Sequence, residues 1–382
     1  MPQFDFDKRL DFSGIDSAKW GGDKELLPLW VADMDFETVP AVKQALLDRA
    51  AFGVYGYTKI SKDYIQSIAA WQKTRHGWDI KPEWIVHTPG VINAIFTTLR
   101  AFSQEGDYVL INTPVYHPFY HVINASNRKA LENPLIDNGG GYDIDFGDFE
   151  KKIAENKPKI FLLCSPHNPI GKVYSADELE RFGNICKKYG VLVISDEIHG
   201  DLTAPGVRHV PFGSVGDFAE NSVICTAPSK TFNLAGLHHS NIIIPSADIR
   251  SKFTAAQASV GTPGPGLFAL FAGAAAYKEG AVWLDEVRAY IQANREFAEK
   301  YIAENIPLLK AYSAKGTYFL WLDFRKLGFD KEKLEEFLQK KAKVWFNQGY
   351  AFGEKAAGFA RVNIACPRSL LKEALDRVKA AL

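Results

Sequence analysis

The sequence is poor in sulfur, with four cysteines and two methionines in 382 residues. Cys164, Cys186, Cys225 and Cys366 are far apart, show no CxxC spacing and lie in or beside apolar segments, where reduced buried thiols are common. A disulfide framework and a cysteine-built zinc site are therefore excluded, and a reducing, cytoplasmic setting is expected. An excess of charge of one sign is also missing. Lys plus Arg total 45 and Asp plus Glu total 45, so no net field gathers nucleic acid or an anionic membrane. No apolar run approaches the roughly 18 to 20 residues that span a bilayer. The opening MPQFDFDKRLDF lacks the basic start and apolar stretch of a secretory signal. No GxGxxG turn follows an early strand, which argues against a nicotinamide dehydrogenase. His238 and His239 are adjacent rather than spaced as ligands, so no metal is expected.

What is present is a globular composition, 47% hydrophobic and 24% charged, on a chain too long for one compact core. Short Val- and Ile-rich runs alternate with helical patterns through the middle of the chain, which is how a parallel sheet covered on both faces is written. The expected strands are Trp84–His87, Tyr108–Asn112, Ile160–Cys164, Val191–Ser195, Ser222–Thr226 and Asn241–Ile244. The rhythm then changes: a long helix over 282–302, a strand over 316–323, a helix over 331–341, strands near 344–346 and 360–365, and a final helix. The expectation is an α/β large domain over 46–283, with a mostly parallel sheet between helices. Residues 1–45 and 284–382 are expected to form a smaller α+β domain.

Five segments stand where such a sheet presents ligands, at the carboxyl ends of strands. In APSKTFNLAGLHH (227–239), Lys230 follows a strand, where desolvation would lower its pKa and free the amine to attack an aldehyde. In VLVISDEIHG (191–200), four apolar residues deliver Asp196 to a strand end, with His199 just beyond. In FLLCSPHNPIGKV (161–173), Asn168 sits in a proline-rich break. HTPGVINAIF (87–96) reads as a capped helix start, with Thr88 as N-cap, Pro89 near the first helical position and Gly90 allowing close approach to the amides of Val91 and Ile92. TPVYHPFY (113–120) places Tyr116 just past a strand. Taken singly, each is also an ordinary surface lysine, cap, turn or crevice wall. Asn168, Asp196 and Lys230 are spaced by about one βαβ unit each, so neighbouring strands can bring them together.

The segment around Lys230 resembles the Schiff-base segment of fold-type I pyridoxal-phosphate (PLP) enzymes, the aspartate aminotransferase-like superfamily. SKTFNLAGL, with LPLWVADMDF (27–36), is similar to the MalY/PatB carbon-sulfur lyase branch, and the resemblance runs over essentially the whole chain. It implies that Lys230 holds PLP as a Schiff base and that Asp196 keeps the pyridine nitrogen protonated. It further implies that Asn168 and His199 reach the ring 3-oxygen, that Tyr116 stacks on the ring, and that Gly90, Val91, Ile92 and Ser229 hold the phosphate. Thr226 is a further phosphate candidate, but Ala227 and His238 stand where many relatives carry a serine and a basic residue. Arg361 would clamp the substrate carboxylate, with Ala32, Asp33 and Asn168 lining the substrate pocket. Tyr57, in GVYGYT, would reach the neighbouring active site, making a homodimer the working unit, with Tyr57 and Tyr116 assisting Lys230. The expected reaction is α,β-elimination of L-cystathionine, and of cystine, cysteine or other S-substituted cysteines, to a thiol, pyruvate and ammonia. An aminotransferase on the same scaffold, and a regulatory protein of the MalY type that binds a transcription factor, are the alternatives.

Overall fold

The computed structural model describes residues 3–382. Most of the apolar runs buried on both faces form one seven-stranded sheet. In chain order its strands are β1 (Ile85–Thr88), β2 (Tyr108–Thr113), β3 (Lys129–Pro134), β4 (Ile160–Cys164), β5 (Leu192–Asp196), β6 (Ser222–Thr226) and β7 (Ser240–Ile243). Their spatial order is β1-β7-β6-β5-β4-β2-β3. β7 runs antiparallel to both neighbours, and the other six share one direction. The cause lies in the connection. Residues 227–239, between β6 and β7, hold only short helical turns and no crossover helix that could carry the chain back along the sheet, so the next strand must point the other way.

All six expected strands are present with ends shifted by at most one residue. β3 was not expected. It is an edge strand paired only to β2, and its KALENP sequence carries Lys129 and Glu132 on exposed positions, so it lacks the continuous apolar run that marks a central strand.

A second, antiparallel sheet holds β8 (Lys310–Tyr312), β9 (Phe319–Asp323), β10 (Asn347–Gln348) and β11 (Phe359–Asn363), in the order β8-β9-β11-β10. The strand expected over 316–323 starts only at Phe319, because Thr317 takes a left-handed conformation at φ 64°. The segment expected near 344–346 is divided: Val344–Trp345 pairs in parallel with Leu27–Pro28, and the chain then turns to give β10. The long helix, Ala281–Asn305, is bonded to this sheet from within. Its buried Arg295 donates to Phe319 O (2.9 Å) and Thr317 O (3.1 Å), and Asn294 donates to Ile364 O (3.0 Å) and Cys366 O (2.8 Å). These bonds fix the level at which β11 meets the rest of the molecule.

One apolar cluster joins both sheets, taking Phe161 and Val193 from the first and Leu320 and Val362 from the second. Among the described residues no single helix is long and apolar enough to cross a membrane.

The helix Ala176–Tyr189 illustrates how local signals and packing agree. Ser175 and Glu178 form a reciprocal capping box, and Gly190 closes the helix at φ 68°. Its inward face presents Phe182 to Phe146 and Phe149, both at 4.8 Å between ring centres, and to Phe161 at 5.1 Å. Phe182→Ala is expected to destabilise the protein by about 3 to 5 kcal/mol, measured as a fall in the denaturant midpoint with little change in slope.

Candidate active site

The carboxyl ends of the parallel strands converge on one crevice. β5 ends at Asp196, which is in register with Cys164 at the end of β4 and with Cys225 near the end of β6. Beyond these ends stand Asn168 after β4, Lys230 after β6, Tyr116 after β2 and Gly90 after β1. The second sheet adds Arg361, which lies mid-strand in β11, opposite Trp321 on one side and Asn347 on the other.

Lys230 follows a short helical turn, Pro228–Thr231, that starts directly after β6. Its Nζ donates to Ala32 O at 2.7 Å and lies 3.6 Å from Asp33 Oδ1. Burial lowers its pKa, Arg361 lowers it further, and Asp33 and Asp196 oppose the shift. The amine is therefore poised closer to its neutral form than an ordinary lysine. The strip that supplies Ala32 is itself held in place. Asn233 donates to Met34 O (3.0 Å) and Phe36 O (3.1 Å), while Asn363 donates to Val31 O and Asp33 O, both at 2.7 Å.

The Asp196 carboxylate accepts a hydrogen bond from Ile198 N at 3.1 Å. Burial pushes its pKa up to about 7, Glu197 adds to the rise, and Lys230 opposes it. A carboxyl group held this way gains most from a cationic N–H donor. His199 is buried, with its ring edge-on to Tyr318 (5.6 Å) and Phe319 (5.7 Å). Burial and the charges of Lys230 and Arg361 lower its pKa to about 3, so the ring is neutral, and its Nδ1 has no partner. Asn168 Oδ1 accepts from Arg361 Nη1 at 2.9 Å, and Asn168 N donates to Cys164 Sγ at 3.4 Å.

The helix after β1 corrects one expectation. Thr88 is the last residue of β1, not an N-cap: its hydroxyl contacts Ser240 Oγ at 2.7 Å and donates to Gly90 O at 3.0 Å. Pro89 lies outside the helix, which runs Val91–Phe102 with Gly90 at the cap position. The polar Thr side chain is drawn into the sheet, so no side chain caps the first turn, and the amides of Val91 and Ile92 keep their donor capacity. Gly90 has φ 130°, a conformation open mainly to glycine, and a Cβ built there meets nothing within 4 Å. The result is an open cradle of backbone donors at a helix N-terminus.

Arg361 is buried, yet its guanidinium lies 4.0 Å from the Phe319 ring centre and 5.0 Å from that of Phe352, and Nη2 donates to Trp30 O at 2.8 Å. Burial lowers its pKa to about 10, which leaves it cationic at neutral pH, and its Nε has no partner. Tyr116 is partly buried; its phenol pKa is raised by burial, with Arg361 and Asp196 both close enough to act on it. Ser229 is buried one residue before Lys230. Thr226 donates its hydroxyl to Asn241 O at 2.8 Å, so that hydrogen is committed to the sheet and does not serve a phosphate.

Tyr57 stands apart from this cluster, fully exposed on a segment that also exposes Val54 and Tyr55. Tyr318, Trp30 and Phe352 belong to the crevice but were not singled out from the sequence. Tyr318 donates to Ala32 O at 2.7 Å, sharing that acceptor with Lys230, and Trp30 stacks on Trp345 at 4.6 Å. In GTYFLWLDF nothing distinguishes Tyr318 from the aromatic residues of any buried strand.

The residues present fit a planar anionic cofactor. A carboxyl near pH 7 awaits a cation, an uncapped helix start awaits a phosphate, and the unpartnered His199 nitrogen and largely buried amine face the same crevice. The site thus defines a lysine-based enzyme of the cofactor-assisted amino-acid type. The profile of the aminotransferase class I and II family matches residues 24–378, and the chain belongs to that family. The cystathionine beta-lyase PatB of Bacillus subtilis is 42% identical over 99% of each chain. The MalY protein of Escherichia coli is 37% identical over 97% of this chain and 96% of its own. Cystalysin from Treponema denticola, whose crystal structure contains a pyridoxal 5'-phosphate cofactor, superposes with a TM-score of 0.96 at 38% identity, covering 99% of this chain and 98% of its own. The architecture is accordingly the fold-type I, aminotransferase-like one.

Asp196 gives a pH test in the cofactor-free protein. A carboxyl at about 7 in the folded state and about 4 in the unfolded chain stabilises the fold fully below about pH 4, and that contribution is lost as pH rises through about 7. Asp196→Asn removes the term. The melting temperature of the cofactor-free variant should exceed that of the unsubstituted protein by a few degrees above about pH 7, with the gap closing in acid; a gap constant with pH would contradict the assignment.

Proposed function

We propose that the chain is a PLP-dependent carbon-sulfur β-lyase that cleaves L-cystathionine, and cystine, cysteine or other S-substituted cysteines, to a thiol, pyruvate and ammonia. The observation that carries the reading is the buried amine of Lys230 set between Asp33 and Arg361 at the carboxyl edge of the sheet, with Asp196 behind it. Full-length similarity to PatB supports elimination over transamination.

When bound, the cofactor offers an electron-poor ring that spreads the charge left at the substrate's Cα. The chain does the rest. Lys230 would hold the cofactor, and its free amine would take the Cα proton. Asp196 would keep a proton on the pyridine nitrogen, Asn168 and His199 would serve the ring 3-oxygen, and Tyr116 would cover the ring. Gly90, Val91, Ile92 and Ser229 would receive the phosphate. Arg361 binds the α-carboxylate through its fork, held flat by Phe319 and Phe352, with Ala32 and Asp33 on the pocket wall. The thiolate then departs with the electron pair of the Cβ–S bond, and water converts the three-carbon remainder to pyruvate and ammonia.

The exposed Phe52, Tyr57 and Phe271 line one open surface pocket, with Val54 and Tyr55 also exposed beside Tyr57 in the chain, which supports a homodimer with Tyr57 reaching the neighbouring phosphate. Four buried free cysteines support a cytoplasmic setting. The same reading divides the chain into a large domain over 46–283 and a small one from the two flanking parts.

Pyruvate released from cystathionine without any added keto acid tests the reaction. Lys230→Ala should reduce turnover at least about a thousandfold and remove the visible absorbance of the bound cofactor; turnover that requires an amino acceptor would instead identify an aminotransferase. Arg361→Lys keeps the charge but loses the fork, so KM for amino acids should rise about tenfold or more with the cofactor still bound.

A further inference from the structure

Behind Lys230 lies a second polar cluster that the lyase reading does not use. His76 Nε2 lies 3.0 Å from Asp201 Oδ1, and the same carboxylate accepts from the Trp71 indole at 3.0 Å and from Thr231 Oγ1 at 2.8 Å. Burial would raise Asp201, but bonding and charge from His76, with Thr231 and Trp71, hold it below the usual carboxylate range. Asp201 is thus an ionised group fully engaged by its own neighbours. The His76 side chain is only 8% exposed, and its other nitrogen, Nδ1, is buried without a partner.

That ring lines a cavity of about 250 Å³ together with Arg75, Arg208, His209 and Arg288. Asp201 lines it as well, so three arginines stand against two carboxylates, Asp201 and Asp285. Arg75 and Arg288 share Asp285, at 2.9 and 3.3 Å, and Arg208 forms no ion pair among the described residues. Burial and the nearby charge of Arg75 lower the pKa of Arg288, and Asp285 and Asp201 only partly oppose the shift. Such a wall favours an anion, which guanidinium groups meet with charge-assisted hydrogen bonds.

We propose that this cavity is a second ligand site, for a tetrahedral oxyanion: free phosphate or the phosphate group of a small phosphorylated metabolite. The volume equals about eight waters at ~30 Å³ each, room enough for an organic portion. The Asp201 bond to Thr231, the neighbour of Lys230, places the occupant one hydrogen-bonded step from the reaction site.

The test is calorimetric titration of the cofactor-loaded protein with sodium phosphate and, separately, with glycerol 3-phosphate, at constant ionic strength. One saturable site per chain is expected for at least one of the two, with movement of the His76 ring ¹⁵N resonances. Tighter binding of glycerol 3-phosphate identifies the phosphorylated metabolite, and equal or weaker binding identifies free phosphate. Arg208→Ala, at an exposed residue outside the reaction site, should weaken binding about tenfold with an unchanged melting temperature, and Arg208→Lys should restore most of it. No saturable heat with either probe, or equal affinity in Arg208→Ala, overturns the proposal.

Discussion

The rest of the site depends on a primary amine kept largely out of water without a full counter-ion against it. Desolvation disfavours the charged form of Lys230, and Arg361 adds to the pressure. The protein relieves it only in part, with the Ala32 carbonyl at 2.7 Å and Asp33 at 3.6 Å. A tighter carboxylate would lock the nitrogen as an ammonium ion, and a wholly apolar pocket would deny it any orientation. A carbonyl as nearest partner orients the lone pair without fixing the charge.

The two sheets divide the work accordingly. The parallel strands deliver groups that need exact placement relative to one another, because neighbouring strand ends are set by hydrogen-bond register: Asp196 opposite Cys164 is one such pair. The antiparallel sheet supplies Arg361 from mid-strand, where the backbone is rigid, and two aromatic rings keep its guanidinium from turning. A strand on either side and a helix bonded through Arg295 and Asn294 keep that sheet at a constant distance from the lysine.

Much of this was legible in the sequence because buried parallel strands are long apolar runs ending in small polar residues, and six of them could be read directly. What stands after each run gave the candidates, Asp196 after VLVIS, Asn168 in a proline break and Lys230 after a serine, while their roles came from the resemblance of those segments to a known family. The losses have equally particular causes. β3 is an edge strand and needs polar residues, so periodicity hides it. Thr88 looked like a cap because Thr-Pro-Gly commonly is one, but its hydroxyl found Ser240 across the sheet, a contact between residues far apart in the chain. Tyr318 and Trp30 act through position in space alone, one just before a buried strand and one in a strip without regular structure. Their roles depend on where Ala32 O and Arg361 end up, which no local pattern states.

Asn233 and Asn363 fasten the same short strip from positions 130 residues apart, one beside the reactive lysine and the other on the last strand of the second sheet. In synthesis from the amino end, the strip and its first anchor are therefore made well before the second, which exists only once Asn363 has been added. The carbonyl that aims the lysine thus takes its final place only in a chain extended past that asparagine.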